Sequence, residues 1–248
     1  MALQYSDYPF KTMGITQSYN GSYSHEKYSK GNRKDYPVDE AGANTGKDYM
    51  YAPFDLIVKR VYGKGIKGQP NTVWLQSRKK VITPIGVFYV TGRATHMSDS
   101  ELKNIKVGKT FKKGEKLFRE GIDGGATGNH IHMTWGTGKF KYPGWKTNNK
   151  GAAVLTTTGS NRKADQIFFR GSGTRVRNDR NLSFKTTPRK RVLYINTGKS
   201  KLNVRQSYSV KSAAVGKLKN GTKVTVYCTR GNWCCIGASM WVHKKYLK

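Results

Sequence analysis

Along this chain the apolar positions fall in short alternating runs separated by glycine turns. Residues 55–62 and 87–90 are β-rich stretches, punctuated by Gly63, Gly65, Gly68, Gly86 and Gly92. Strands joined by tight turns are therefore expected in place of long helices. Residues 98–104 read as one helical turn capped by Ser98 or Ser100, and residues 107–117 as two strand edges around a tight turn. In Gly128-Asn129-His130-Ile131-His132-Met133-Thr134-Trp135, a period of two puts His130 and His132 on one face and Ile131, Met133 and Trp135 on the other. The apolar face can anchor such a strand while the imidazoles line a cleft.

Beyond residue 147 the pattern changes. Residues 148–163 turn small and polar, as a surface connection does. Ile167-Phe168-Phe169 and Leu182-Ser183-Phe184 are too apolar for a plain linker, so an extension packed on the first domain is expected. Thr187-Pro188-Arg189-Lys190-Arg191 marks a second boundary with a proline and a charge run. The expected organisation is a first domain over residues 1–147, a linker with a packed aromatic extension over 148–190, and a small β module over 191–248. The fold class read from this pattern is mostly β.

Composition then narrows the partners. With 46 basic and 14 acidic residues, the 248-residue chain carries a formal charge of +32, and self-repulsion of that size points to a polyanionic partner. Nucleic acid, anionic membrane and anionic cell-wall polymer all qualify by charge. The basic residues are dispersed and carry no recognition motif, which disfavours nucleic acid. No stretch approaches the length of a membrane span, and the first residues lack the basic and apolar regions of a signal peptide. The expectation is a protein made in a cytoplasm without a leader, unless a leader has been removed. Cys228, Cys234 and Cys235 are too few and too clustered for a disulfide framework.

Thr95-His96-Met97, the glycines Gly108 and Gly114, and Ala126-Thr127-Gly128-Asn129-His130-Ile131-His132 occur in an order that resembles the lysostaphin-type zinc endopeptidases. Across roughly the first 145 residues (~145 by the motif limits), the resemblance implies an antiparallel β-sheet zinc peptidase acting on peptidoglycan. It also implies an N-terminal His and Asp, matched here by His25 and by Asp39 in Tyr36-Pro37-Val38-Asp39. The implied ligands of Zn2+ are His25, Asp39 and His132, a donor set that leaves a fourth position open, as in catalytic zinc. His130 and His96 are the implied catalytic residues, His130 as base and His96 as oxyanion stabiliser. Between His25 and Asp39 stands an insert longer than the family's, with Tyr28, Lys30, Lys34 and Asp35, so Asp35 competes for the carboxylate position.

The last residues carry a second resemblance. Leu202-Asn203-Val204-Arg205, Leu218-Lys219-Asn220-Gly221 and Trp241-Val242-His243-Lys244-Lys245-Tyr246-Leu247 are similar to the bacterial SH3-like domain, a small β-barrel that binds cell walls. Residues 191–248 contain no Asp or Glu. The partners implied are peptidoglycan and anionic wall polymers, with Tyr208, Tyr227, Trp233 and Trp241 as candidate stacking residues, Trp233 and Trp241 being equally candidates for the core of so small a barrel. Together the resemblances imply a phage endolysin that reaches the wall after release. A non-catalytic wall-binding protein is the alternative.

Overall fold

Alternation builds the central sheet strand by strand. Strand β1 spans Thr12–Gln17, β2 Val38–Glu40, β3 Tyr49–Tyr51, β4 Leu56–Tyr62 and β5 Thr72–Ser77. Then come β6 (Val81–Thr83), β7 (Gly86–Phe88) and β8 (Val90–Thr95). A short helix α1 (Asp99–Leu102) is capped by Ser98, whose hydroxyl accepts from the Glu101 amide. Strands β9 (Thr110–Phe111), β10 (Lys116–Arg119) and β11 (Ile131–Thr137) follow. The computed structural model describes residues 3–25, 35–44, 48–63, 70–147, 153–170, 175–177 and 182–248. Tyr28, Lys30 and Lys34 of the insert lie outside these residues.

Next are β12 (Phe140–Thr147), β13 (Ala153–Thr157), β14 (Asn161–Arg162), α2 (Ala164–Ile167) and β15 (Arg175–Arg177). The large sheet runs β15-β1-β2-β11-β8-β5-β4-β9, and β14 also pairs with β11. Its pairs are antiparallel except β1 with β15. Strand β11 lies inside this sheet, and Ile131, Met133 and Trp135 on its apolar face are buried. A Cβ at Gly92 would meet the Trp135 ring at 2.3 Å, so only glycine lets the neighbouring strand approach that indole. Phe54 and Phe168 pack edge-on against the same ring.

Residues 107–117 supply two strand edges around a turn, as expected, but the edges do not pair with each other: β9 pairs with β4 and β10 with β3. Phe111 is buried opposite Leu56, and Leu117 and Phe118 are buried opposite β3. Burying these apolar side chains against separate strands outweighs local pairing of two short edges. The run at 87–90 is also split at Tyr89, with β7 turning back on β6 and β8 joining the large sheet.

Residues 148–190, read as a linker with an aromatic extension, contribute β13, which pairs with β12, and β14. Ile167 and Phe168 enter the main core, and Leu182 and Phe184 pack against it. Among the described residues no helix is long and apolar enough to cross a membrane.

The C-terminal strands are β16 (Arg191–Tyr194), β17 (Leu202–Arg205), β18 (Ala214–Leu218), β19 (Lys223–Val226), β20 (Cys228–Arg230), β21 (Trp233–Gly237) and β22 (Met240–His243). Five of them form the sheet β18-β17-β22-β21-β20, and β16 pairs with β19. Ile195, Leu202, Val204, Val224, Val226, Cys234 and Val242 make a separate core. A third apolar cluster spans both parts of the chain: Tyr5, Ile82, Val87 and Phe169 meet Cys235 and Trp241. The Tyr5 hydroxyl donates to the Tyr227 carbonyl at 2.7 Å, and Lys80 Nζ donates to Ser239 Oγ at 2.8 Å.

Trp241 is therefore no stacking platform for a ligand. It is 4% exposed and closed off by the first part of the chain. Tyr208 covers it edge-on and keeps 38% of its own surface exposed. Truncation of Trp241 to alanine is expected to cost about 3–5 kcal/mol through lost contacts and a cavity. Because its cluster joins both units, calorimetry should show the melting of each shifted downward. An unchanged melting curve would mean that the contact contributes nothing in solution.

Candidate metal centre

Register brings the carboxylate and one imidazole together. His132 of β11 stands opposite Asp39 of β2 and opposite Thr95 of β8, so these three side chains share the cleft face. Asp39 Oδ1 lies 2.9 Å from His132 Nδ1. His25 arrives from the turn after β1, its Nε2 3.3 Å from Asp39 Oδ1 and 3.3 Å from His132 Nδ1. Among the described residues these three form a group with ligand atoms within 4.8 Å of one another.

Hydrogen bonding to the far side of the His25 ring fixes its tautomer. His25 Nδ1 is 2.6 Å from the Ser18 carbonyl, which can only accept, so Nδ1 is the donor and Nε2 of the neutral ring is a bare lone pair. That lone pair faces a carboxylate oxygen and another ring nitrogen. Such a set of electron donors repels itself unless a cation lies among them, and two imidazole nitrogens with one carboxylate are what zinc takes. The residues fit a metal ion by this chemistry.

The other two histidines flank the group. His130 Nδ1 donates to the Gly128 carbonyl at 2.8 Å, and its Nε2 stands 3.6 Å from Asp39 Oδ1. His96 Nδ1 donates to the Asp123 carbonyl at 2.6 Å, and its ring lies 4.7 Å from that of His130 and 6.0 Å from that of His132, centroid to centroid. His96 is held at φ +82°, unusual for a residue with a Cβ. Its amide donates to Asn71 and its carbonyl accepts from Asp123, which hold that conformation. A Cβ at Gly121 would sit 2.4 Å from the His96 carbonyl oxygen, so glycine is required beside it.

Burial pushes the His96 imidazole down to about 4, and the neighbouring His132 and His130 add to that, against the opposing pull of the Asp123 hydrogen bond. Burial likewise lowers His132 despite its bond to Asp39. For Asp39, burial favours the neutral acid, but the facing His132 and His25 outweigh it and hold the carboxyl far below the usual range. Asp35 is also buried but lies outside the three-residue group. His243 is remote, in the C-terminal unit, where it accepts from the Lys245 amide and packs against Trp233.

One residue of this site was not singled out by motif. Gln17, opposite Asp39 in the β1–β2 register, donates through Nε2 to Asp39 Oδ2 at 2.8 Å and to Ser24 Oγ at 2.7 Å. Its Oε1 accepts from the amides of Ser24 and His25. Gln17 thus ties the His25 turn to the carboxylate. A glutamine at the end of a strand carries no motif, and only pairing reveals it.

The cleft has a volume of about 390 Å³ and is lined by Tyr62, Pro70, Thr72, Arg93, Thr95, His96, His132 and Trp145. Compared with known proteins, residues 200–248 match the bacterial SH3 domain family. The C-terminal unit is a bacterial SH3 domain. Morphogenesis protein 1 of Bacillus phage B103 is 32% identical over 145 residues, which is 58% of this chain and 35% of that protein. The chain thus matches about a third of the length of this relative. Two structures of lysostaphin also align, that of the antimicrobial peptidase from Staphylococcus simulans and a solution structure. The first has a TM-score of 0.37 at 14% identity, covering 98% of this chain and 92% of that one. The second has 0.36 at 15%, covering 97% and 91%. Likeness that loose is too weak to carry function.

Gln17→Ala should weaken zinc binding about tenfold to a hundredfold, the usual effect of removing a group that orients a ligand. Asp39→Asn should weaken it further, whereas Asp35→Asn should leave it near that of the unaltered protein. Competition titration against a chromogenic chelator measures all three. Zinc binding lost in the Asp35 variant and retained in the Asp39 variant would move the ligand assignment to the insert.

Proposed function

We propose that this protein is a zinc-dependent peptidoglycan endopeptidase held on the bacterial wall by its SH3 domain. The carrying observation is the convergence of His25 Nε2, Asp39 Oδ1 and His132 Nδ1 at a cleft flanked by two further imidazoles. Zinc held by that set supplies Lewis acidity, which activates water and a peptide carbonyl. His130, with its Nδ1 engaged by Gly128, offers a bare Nε2 to take the proton of the attacking water and return it to the leaving amine. His96 in its neutral form likewise presents a lone pair and no N–H, because Nδ1 is committed to Asp123. We therefore assign it to orienting the water. Oxyanion stabilisation would need a second proton, which its burial opposes.

The SH3 domain supports the wall as the place of action, and residues 191–248, free of Asp and Glu, favour an anionic polymer there. The likeness to a morphogenesis protein of a Bacillus phage supports a viral setting. It also favours a second reading, in which the chain is part of the phage particle and acts on entry, in place of an endolysin that acts on exit. Immunodetection in purified particles separates these. A non-catalytic wall-binding role would show as adhesion to walls without release of amino groups under any metal condition.

Zymography on purified walls should show clearing that chelator abolishes and zinc restores. His132→Ala should lose both zinc and clearing. His130→Ala should lose clearing by a factor of about a hundred or more yet keep near-stoichiometric zinc, since an unligated base adds little to metal affinity. Equal loss of zinc in both variants, by metal analysis, would make His130 a ligand and overturn the division of roles.

A further inference from the structure

The cleft continues along β8 past the three-residue group. Arg93 sits two residues before Thr95 on the same strand face, and it pairs with Thr134 as Thr95 pairs with His132. At about 3.4 Å per residue, this places Arg93 about 7 Å along the strand from the centre. It is only 9% exposed, and it lines the cleft.

Its guanidinium is incompletely satisfied. The buried Nε has no hydrogen-bond partner, and neither has the buried hydroxyl of Thr134 across from it, among the described residues. Trp74 faces Arg93 from β5, but its indole N–H is already given to the Gly144 carbonyl. Asp35 is the acidic group whose charge acts on Arg93, and it favours the charged guanidinium. A positive group taken out of water with a donor unfilled is costly to keep unless something fills it. A planar guanidinium matches a carboxylate in two-pronged fashion, and the nearby Thr134 hydroxyl adds a further donor. Tyr62, Pro70 and Trp145 give the same cleft an apolar wall suited to a short peptide.

We propose that Arg93 is a specificity-determining residue that receives a carboxylate of the peptide substrate, about two residues of extended chain from the scissile bond. The inference rests on the peptidase reading above and deepens it. The favoured substrate is a peptide with a free α-carboxylate or an acidic side chain at that distance. Neutral cross-bridges lack the group.

The test is equilibrium binding of soluble wall stem peptides to the full chain, followed by tryptophan fluorescence, with their carboxylates either free or all converted to amides. The unaltered protein should bind the free form at least tenfold more tightly. Arg93→Gln should erase the difference, and Arg93→Lys, which keeps the charge but not the fork, should retain part of it. Should the glutamine variant fail to fold, the lysine variant and the comparison of the two peptide forms on the unaltered protein still decide. Equal affinity for both forms, no binding of either, or equal weakening of both by Arg93→Gln would overturn the proposal. Metal-dependent wall hydrolysis, measured on the same preparation, is a separate readout. Its absence would remove the peptidase reading while a carboxylate preference in binding persisted.

Discussion

Around the Asp39 carboxylate, nitrogens of His132, His25 and His130 approach to 2.9, 3.3 and 3.6 Å. In water such crowding would be screened, but Asp39 and His25 are buried, and charge imbalance there is felt at several times its strength in solvent. The lone pair of His25 directed at a carboxylate oxygen is favourable only with positive charge between them. A cation held there would join parts of the chain that backbone pairing alone does not: β2 and β11 are neighbours in the sheet, whereas His25 belongs to a turn. Gln17 makes that connection in hydrogen bonds, from the Asp39 side chain to the His25 amide. A metal bound there and the amide side chain would act on the same joint, one through charge and one through geometry.

Behind the site the same strand does the opposite work. Glu40 follows Asp39 and points to the other face, where its carboxyl accepts from the Tyr8 hydroxyl at 2.5 Å and from the amides of Gly14 and Gly42. Burial raises it to about 7, while the hydrogen bonds resist that rise. Adjacent carboxyls are driven apart by environment alone, one ionised among imidazoles and one buried as an acceptor that fastens β2 to β1. Tyr8 in turn packs edge-on against Phe168 and Phe184. The position of the ligand strand thus depends on residues more than a hundred positions away.

That dependence explains what could be read in advance. The alternation of His130 to Trp135 is local, and a period of two is enough to separate imidazoles from anchors. Ser98 as a helix cap is local as well. The destinations of β9 and β10 are not, because a strand of two to four residues takes its partner from whichever buried surface it completes. Gln17 and Arg93 were invisible for a related reason. Neither belongs to a motif, and each acquires its setting only from strands that pair with its own. Trp241 was legible as an aromatic of a small barrel, but its cover comes from Tyr5, Ile82, Val87 and Phe169.

The cover over Trp241 also bears on how a wall-binding module could serve the cleft. A flexible tether raises local concentration but leaves the cleft free to sample any direction. Here Phe169, which follows directly on the core residue Phe168, lies in the shared cluster, so the route from the candidate metal centre to the SH3 domain passes through packed side chains. Tyr5, Lys80 and Arg230 add hydrogen bonds across the same boundary. On the proposed reading, the wall is then presented to the cleft at a fixed angle, which restricts the bonds within reach as strongly as any pocket. Specificity would have two parts: a carboxylate read at Arg93, and an orientation set by an apolar contact that touches no substrate.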